Sequence, residues 1–155
     1  MREYDVSRWT AAFIREHEED CLIVLEGAQK EAQRLLCEGD AFRALRGYIR
    51  ISNAIAEFCK FDEEKYKLHL CRSYVICGMV AAFGVGGWKG KGYAEYALQE
   101  AVDLMDGFFR QDINQLVEMQ KLHKTTNKLL RELYCNKDVQ KLQKKYCPSY
   151  PYINI

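Results

Sequence analysis

The sequence predicts an all-α fold, an antiparallel bundle of five to six helices in a single domain over residues 1–155. Apolar residues recur at spacings of three and four from residue 7 to residue 134, which is the period of a helix with one buried face. Both prolines, Pro148 and Pro151, lie near the carboxyl end, so no proline interrupts a helix before them. Alternation typical of strands is not sustained anywhere for long.

The composition is that of an ordinary globular protein, with 48% hydrophobic residues, 29% charged residues and a net charge of +1. This balance excludes a global attraction to nucleic acid, lipid or acidic substrates. The N-terminus is charged from its second residue, and no stretch approaches the roughly 20 apolar residues of a membrane span. We therefore expect a cytoplasmic protein without membrane contact.

The cysteines are odd in number and include no CxxC pair, so we expect reduced thiols, most of them packed as small core residues, without a disulfide. Metal-ligand spacing is absent as well: His69, Cys71 and Cys77 match no standard zinc pattern. Positions 69 and 71 would point about 200° apart on a helix. We expect neither a metal nor a cofactor. The seven cysteines are Cys21, Cys37, Cys59, Cys71, Cys77, Cys135 and Cys147.

The first predicted helix runs from an N-cap at Ser7 to Gly39, in the place where glycine ends helices. The acidic run within residues 16–20 marks either a new helix start or a solvated face, and we predict one long helix, kinked there at most. Asp40 then caps a second helix that extends through Cys59. Its predicted buried side consists of Phe42, Ala44, Leu45, Tyr48, Ile49, Ile51 and Ile55.

Three further helices and a short last one follow. Asp62 caps the third, which runs up to Gly84, and the fourth carries apolar residues from Tyr93 to Phe108. Asp112 caps the fifth, which ends near a candidate C′ residue at Asn136. A short helix is predicted over residues 138–146, and residues 147–155 form an extended C-terminal tail.

Paired in this way, the helices over roughly residues 21–108 resemble tetratricopeptide repeats. Gly39 to Ile51, GDAFRALRGYIRI, is similar to the second half of such a repeat, with Ala44, Tyr48 and Ile51 at its small, aromatic and small positions. The pairs are spaced more widely than the period of about 34 residues, so we expect a repeat-like bundle rather than a solenoid. The resemblance implies a module that binds protein or peptide without catalysis. Further matching positions are Tyr74, Gly78, Ala97 and Ala101.

The glycine-rich stretch FGVGGWKGKGYAEYA joins the third and fourth helices. It is not a Walker A loop, because Val85 stands where the first glycine belongs and Gly92 replaces the hydroxyl residue. Lys89, Lys91 and the N–H groups of the next helix can still hold an anion, with Trp88 as a stacking surface. We favour the other interpretation, in which Trp88 packs onto the core and both lysines point into solvent.

A second candidate surface is a basic stripe of four residues in the fifth helix. Their spacings of three, four and three place them on one helical face, within a basic region over residues 121–145. The stripe is either a solvated face or a contact for nucleic acid or an acidic protein. Its members are Lys121, Lys124, Lys128 and Arg131.

The predicted function is a small cytosolic protein-interaction module of the adaptor, regulator or inhibitor type, without catalysis or cofactor. One alternative is a nucleic-acid-associated helical subunit that uses the 121–145 region. Another is an enzyme with a site near the Gly84–Gly92 loop. The candidate carboxylate pairs have the spacing common on solvated faces. They are Glu95 with Glu100 and Asp103 with Asp106.

Overall fold

The computed structural model describes residues 6–109 and 116–135, together with Lys141, and every regular element in these ranges is helical. The predicted all-α bundle is confirmed. A 3-10 turn at Val6–Arg8 comes first, and a π-helix at Val80–Val85 continues α4. The α-helices are α1 (Ala11–Glu16), α2 (Glu18–Cys37), α3 (Ala41–Phe61), α4 (Glu63–Met79), α5 (Gly87–Phe109) and α6 (Leu116–Tyr134).

Several predicted features of the carboxyl-terminal region fall outside the described ranges. They are the cap at Asp112, the candidate C′ residue Asn136, the helix over 138–146 apart from Lys141, and the tail over 147–155.

The prediction of one long N-terminal helix is wrong. His17, with φ −130° and ψ 35°, separates α1 from α2. Glu18, Glu19 and Asp20 form the first turn of α2, where the helix dipole favours carboxylates. The N-cap of α1 is Thr10 rather than Ser7, because the Thr10 Oγ1 accepts a hydrogen bond from the Phe13 N–H at 3.2 Å.

The caps predicted between α2, α3 and α4 are confirmed. Gly39 takes the left-handed conformation, with φ 86°, directly after α2. The Asp40 Oδ1 accepts from the Arg43 N–H, and the Asp62 Oδ1 accepts from the Lys65 N–H, each at 3.2 Å. These three residues limit the connections to short turns, which make successive helices antiparallel neighbours.

The helices pack mainly on their neighbours in the chain, and α4 lies between two apolar clusters. One cluster, which includes Trp9 and Phe58, joins α1, α2 and α3 to one side of α4. The other, which includes Leu98 and Met119, joins the opposite side to α5 and α6. Phe42 is an exception to the predicted core, since it is 65% exposed. It precedes Ala44 by two residues and so lies about 200° around α3 from the buried face.

Helix α4 and its π-helical continuation form one helix, Glu63–Val85, that is long and apolar enough to cross a membrane by length and composition. This helix is therefore an exception to the expectation that no stretch is long and apolar enough to span a membrane. Its apolar window is 72% buried inside the bundle. Burial of that extent is also typical of the central helix of a soluble bundle.

The six cysteines within the described ranges are all free thiols, and Cys147 lies outside those ranges. Burial raises the pKa of Cys21 to about 11 and that of Cys71 to about 12. Such thiols carry little thiolate at neutral pH, so they behave as small core residues. Across the same ranges, no group of three or more His, Cys, Asp or Glu side chains is placed to hold a metal ion.

Candidate functional site

The connection between α4 and α5 is a tight turn rather than the long loop expected over Gly84–Gly92. The π-helix continues to Val85, and α5 already begins at Gly87. Gly86 and Gly87 have φ values of 70° and 67°, a conformation that glycine adopts without steric cost. The fourth predicted helix therefore starts well before Tyr93, and Trp88 lies in its first turn.

A close backbone contact holds this first turn of α5 against the π-helix. A Cβ atom added to Gly90 would lie 2.3 Å from the carbonyl oxygen of Ala81. The same oxygen accepts a hydrogen bond from the Gly86 N–H at 2.9 Å. The glycines on both sides of Trp88 thus allow a compact turn, which positions the backbone of this residue.

Trp88 is 81% exposed, so the prediction that it packs onto the core is wrong. The buried face of α5 includes Gly90, Ala94 and Leu98. Trp88 lies two residues before Gly90, about 200° around the helix, and therefore faces solvent. The bundle leaves a large amphipathic ring uncovered at a well-defined position.

The two neighbouring lysines do not converge on the helix N-terminus. The Lys89 Nζ lies 5.5 Å from the centroid of the Trp88 ring, a cation–π contact. The Lys91 Nζ lies 3.7 Å from the Glu95 Oε1, and the Lys91 side chain is only 29% exposed. Of the two lysines expected to bind an anion, Lys91 is therefore already paired with a carboxylate of α5.

A second exposed aromatic residue lies at the same end of the bundle. A Cβ atom on Gly84 would lie 2.9 Å from the Cβ of Ala41, so the π-helix contacts the start of α3. Phe42 follows Ala41 and is exposed. We call Phe42, Gly84 and Trp88 together the aromatic end. Sequence reasoning missed Phe42, since its spacing to Ile49 resembles that of a core position.

The basic stripe of α6, defined by Lys121, Lys124, Lys128 and Arg131, is exposed along its whole length. None of its four side chains forms an ion pair with the described part of the chain. The nearby acidic residue Glu118 contacts Arg72 instead, with its Oε2 3.6 Å from the Arg72 Nη2. The predicted solvent-facing stripe is present, and its charge is not neutralised within α6.

The structure separates the basic stripe from the aromatic end. The His123 Nε2 contacts the Asp106 Oδ1 at 2.8 Å, which sets the register of α6 on the antiparallel α5. Arg131, two turns beyond His123, therefore lies opposite the region of Leu98. That region is about 15 Å along α5 from Trp88. The seven residues predicted as partner-binding form two surfaces rather than one.

Three of the four carboxylates in the candidate pairs on α5 have other partners. Glu95 contacts Lys91, Asp103 accepts a hydrogen bond from Gln99 at 3.0 Å, and Asp106 contacts His123. Each of these three carboxylates is engaged locally on the surface of the bundle. The arrangement is that of solvated helix faces.

Sequence reasoning also missed a row of arginines on α3. Arg43, Arg46 and Arg50 are separated by three and four residues, the same spacing that identified the stripe on α6. The signal was present in the sequence. The residues that lie opposite these arginines belong to α2, and the packing of α2 on α3 cannot be seen in the sequence.

No protein-family model, no curated protein and no solved structure matches this chain.

Proposed function

We propose that this chain is a small cytoplasmic protein-interaction module that binds its partner through the aromatic end, without catalysis. One observation carries the proposal: the Trp88 ring is 81% exposed in the first turn of α5. Tryptophan is enriched among the residues that dominate binding energy at interfaces. Covering a side chain of this size removes about 150–250 Å² from water.

The fixed backbone around Trp88 strengthens this interpretation. Gly90 packs on the Ala81 carbonyl oxygen, and Gly86 bonds to the same atom, so the turn needs little ordering on association. A pre-organised anchor loses less conformational entropy when it binds. Lys89 lies over the ring and supplies a cation beside the contact, and the rim of an interface is usually polar and accessible to solvent.

The likeness to tetratricopeptide repeats is part of the same proposal. The antiparallel pairs α2–α3 and α4–α5 approach closely at small residues, as the repeat requires. A Cβ atom on Gly47 would lie 3.3 Å from the Ala32 Cβ, and one on Gly78 would lie 2.7 Å from the Leu98 Cγ. A repeat-like arrangement supports binding of a protein or peptide.

The proposal is tested by affinity purification from the native host, with wild type compared with Trp88→Ala. We expect a partner, identified by mass spectrometry, to be depleted about tenfold or more by the substitution. Ile23→Ala is the matched control, because Ile23 is also exposed (68%) but lies on α2, towards the other end of the bundle. Full retention of every captured protein by Trp88→Ala would refute the aromatic end as the binding surface.

A second candidate function is favoured by the unpaired basic stripe on α6. Four exposed cations on one helical face can contact phosphates of a nucleic acid, and such binding weakens steeply with salt. We expect little retention of nucleic acid at physiological salt, since the net charge of the chain is only +1. Tight, salt-sensitive binding that is lost in a Lys124→Glu, Lys128→Glu, Arg131→Glu triple variant would replace the leading proposal.

A further inference from the structure

A groove with a volume of about 550 Å³ lies between α2 and α3. Its floor is apolar and built partly from small residues, and three arginines of α3 line one side. We call this feature the arginine groove. Its lining is Val6, Ala28, Glu31, Ala32, Leu35, Arg43, Arg46, Gly47, Arg50 and Ile51.

Small residues account for the shape of the arginine groove. Gly47 faces Ala32 so closely that a Cβ atom on the glycine would lie 3.3 Å from the alanine Cβ. Ala28, one turn earlier on α2, also has only a methyl side chain. The two helices therefore approach each other with a low floor between them, which is the kind of trough that accepts a third helix.

Two of the three arginines in the arginine groove carry a charge that no described acidic residue pairs with. Arg46 and Arg50 form no ion pair with the described residues, and the sequence has no acidic residue between Asp40 and Glu57. Asp40 lies 3.6 Å from Arg43 but contacts no other arginine of the row. Like charges one helical turn apart repel each other and destabilise the helix, so an external acid would relieve this repulsion.

The opposite wall supplies one carboxylate, Glu31, which interacts electrostatically with Arg43 but forms no ion pair with Arg46 or Arg50. Glu31 on α2 is held by Arg34, whose Nε and Nη2 donate to its two carboxylate oxygens at 2.9 and 2.5 Å. The Arg34 Nη1 also donates to Glu38 at 2.6 Å. The carboxylate that lines the groove is thus already engaged by a cation of its own helix. Arg46 and Arg50 remain available for an external acid.

We infer that the arginine groove binds an acidic amphipathic helix of a partner protein. The inference rests on the proposed protein-binding function for the class of ligand, but it uses residues separate from the aromatic end. The span from Arg43 to Ile51 is about 12 Å, or two helical turns. An apolar edge of the bound helix covers Ala28, Ala32 and Gly47, while its carboxylates meet the arginines, which form forked hydrogen bonds with such groups.

The test uses fluorescence anisotropy with a synthetic helical peptide of about four turns that carries leucines on one face and glutamates beside them. We expect saturable binding that weakens with salt and falls about tenfold or more in an Arg46→Glu, Arg50→Glu variant. A Lys128→Glu, Arg131→Glu variant makes the same charge change on α6 and should alter the affinity by less than about twofold. Melting curves verify that both variants fold. If the charge-reversal variant of α3 does not fold, the neutral variant Arg46→Gln, Arg50→Gln replaces it in the binding measurement.

Four outcomes would overturn the inference. They are the absence of saturable binding, equal loss in the α6 variant, equal binding of a scrambled peptide of the same composition, and loss of binding in Trp88→Ala. The last would show that the aromatic end rather than the arginine groove holds the peptide. Unchanged peptide binding by Trp88→Ala, alongside failure of that variant to lose any cellular partner, would refute the proposed aromatic end while leaving the groove intact.

Discussion

The two tryptophans of this chain have opposite environments. Trp9 is 6% exposed and packs edge-on against Phe58, with the ring centroids 6.2 Å apart and the planes at 78°. Trp88 is 81% exposed, and its ring contacts Lys89 of the same helix turn. Both residues stand close to the start of a helix. The side chain alone therefore does not determine whether such a ring stabilises the fold or remains available to a partner.

The difference between the two regions comes from what each backbone faces. Trp9 precedes the cap residue Thr10 and joins the aromatic cluster around Phe58 and Tyr66. At Trp88 the helix contacts its neighbour through Gly90 instead, and the ring points away from that contact. Four substitutions or pairs of substitutions test this contrast.

The largest effect is expected for Trp9→Ala. Removing this buried ring should lower the free energy of unfolding by about 3–5 kcal/mol, because a cavity remains beside Phe58. The Trp9 Nε1 donates no hydrogen bond to the described residues, so Trp9→Phe should cost clearly less. Urea denaturation followed by circular dichroism measures both. Equal stability of Trp9→Ala and wild type would contradict the core assignment.

Gly90→Ala and Gly92→Ala test whether the turn before Trp88 is held by backbone packing. The methyl group at Gly90 meets the Ala81 carbonyl oxygen at 2.3 Å, and the substitution should destabilise by about 1–3 kcal/mol. Gly92 has no atom within 4 Å of the added Cβ, so alanine there should stabilise the helix by about 0.5–1 kcal/mol. Thermal melting gives both values. Equal changes in melting temperature would exclude the close contact.

A pH effect is expected from Glu18, which connects α2 to the aromatic cluster that holds Trp9. Its Oε1 accepts hydrogen bonds from the Lys65 Nζ at 2.8 Å and from the Tyr66 OH at 2.5 Å. These bonds hold the pKa of Glu18 below its usual range. The stabilisation is therefore present above the ordinary glutamate pKa of about 4.3 and is lost as the pH falls below it.

Between pH 6 and pH 3, wild type should lose up to about 1 kcal/mol more than Glu18→Gln, a modest value because the pair is partly exposed. Glu19→Gln is the matched control, since Glu19 lies in the same helix turn and is exposed. Its pH dependence should stay closer to that of wild type, because Glu19 shares the helix N-terminus but forms neither of the two hydrogen bonds of Glu18. Parallel pH profiles for wild type and Glu18→Gln, from urea unfolding, would show that this connection does not contribute.

The smallest effect on stability is expected for Trp88→Ala, within about 0.5 kcal/mol of wild type, because the ring is exposed. In a Trp9→Phe background, acrylamide should quench Trp88 fluorescence nearly as well as free tryptophan. Strong protection from acrylamide, or a loss of stability as large as that of Trp9→Ala, would mean that the two tryptophans do not differ in the way described.

The helical fold class and several helix ends could be predicted from the sequence, because they depend on chemistry within a few residues. Asp40 and Asp62 cap helices with N–H groups three positions away, and Gly39 takes a conformation that other residues rarely adopt. The break at His17 could not be predicted in this way, because the apolar periodicity continues across it.

The environments of the candidate site residues were decided by tertiary structure. Whether Trp88 and Phe42 are buried depends on which helical face meets its neighbour, and at α5 that face is chosen by Gly90 against the Ala81 carbonyl oxygen. Likewise the sequence displays the arginine spacing on α3, but a groove exists only because Ala32 of α2 packs against Gly47. Local hydrogen bonding determined where the helices begin and end, and contacts between residues distant in the chain determined which side chains remain exposed.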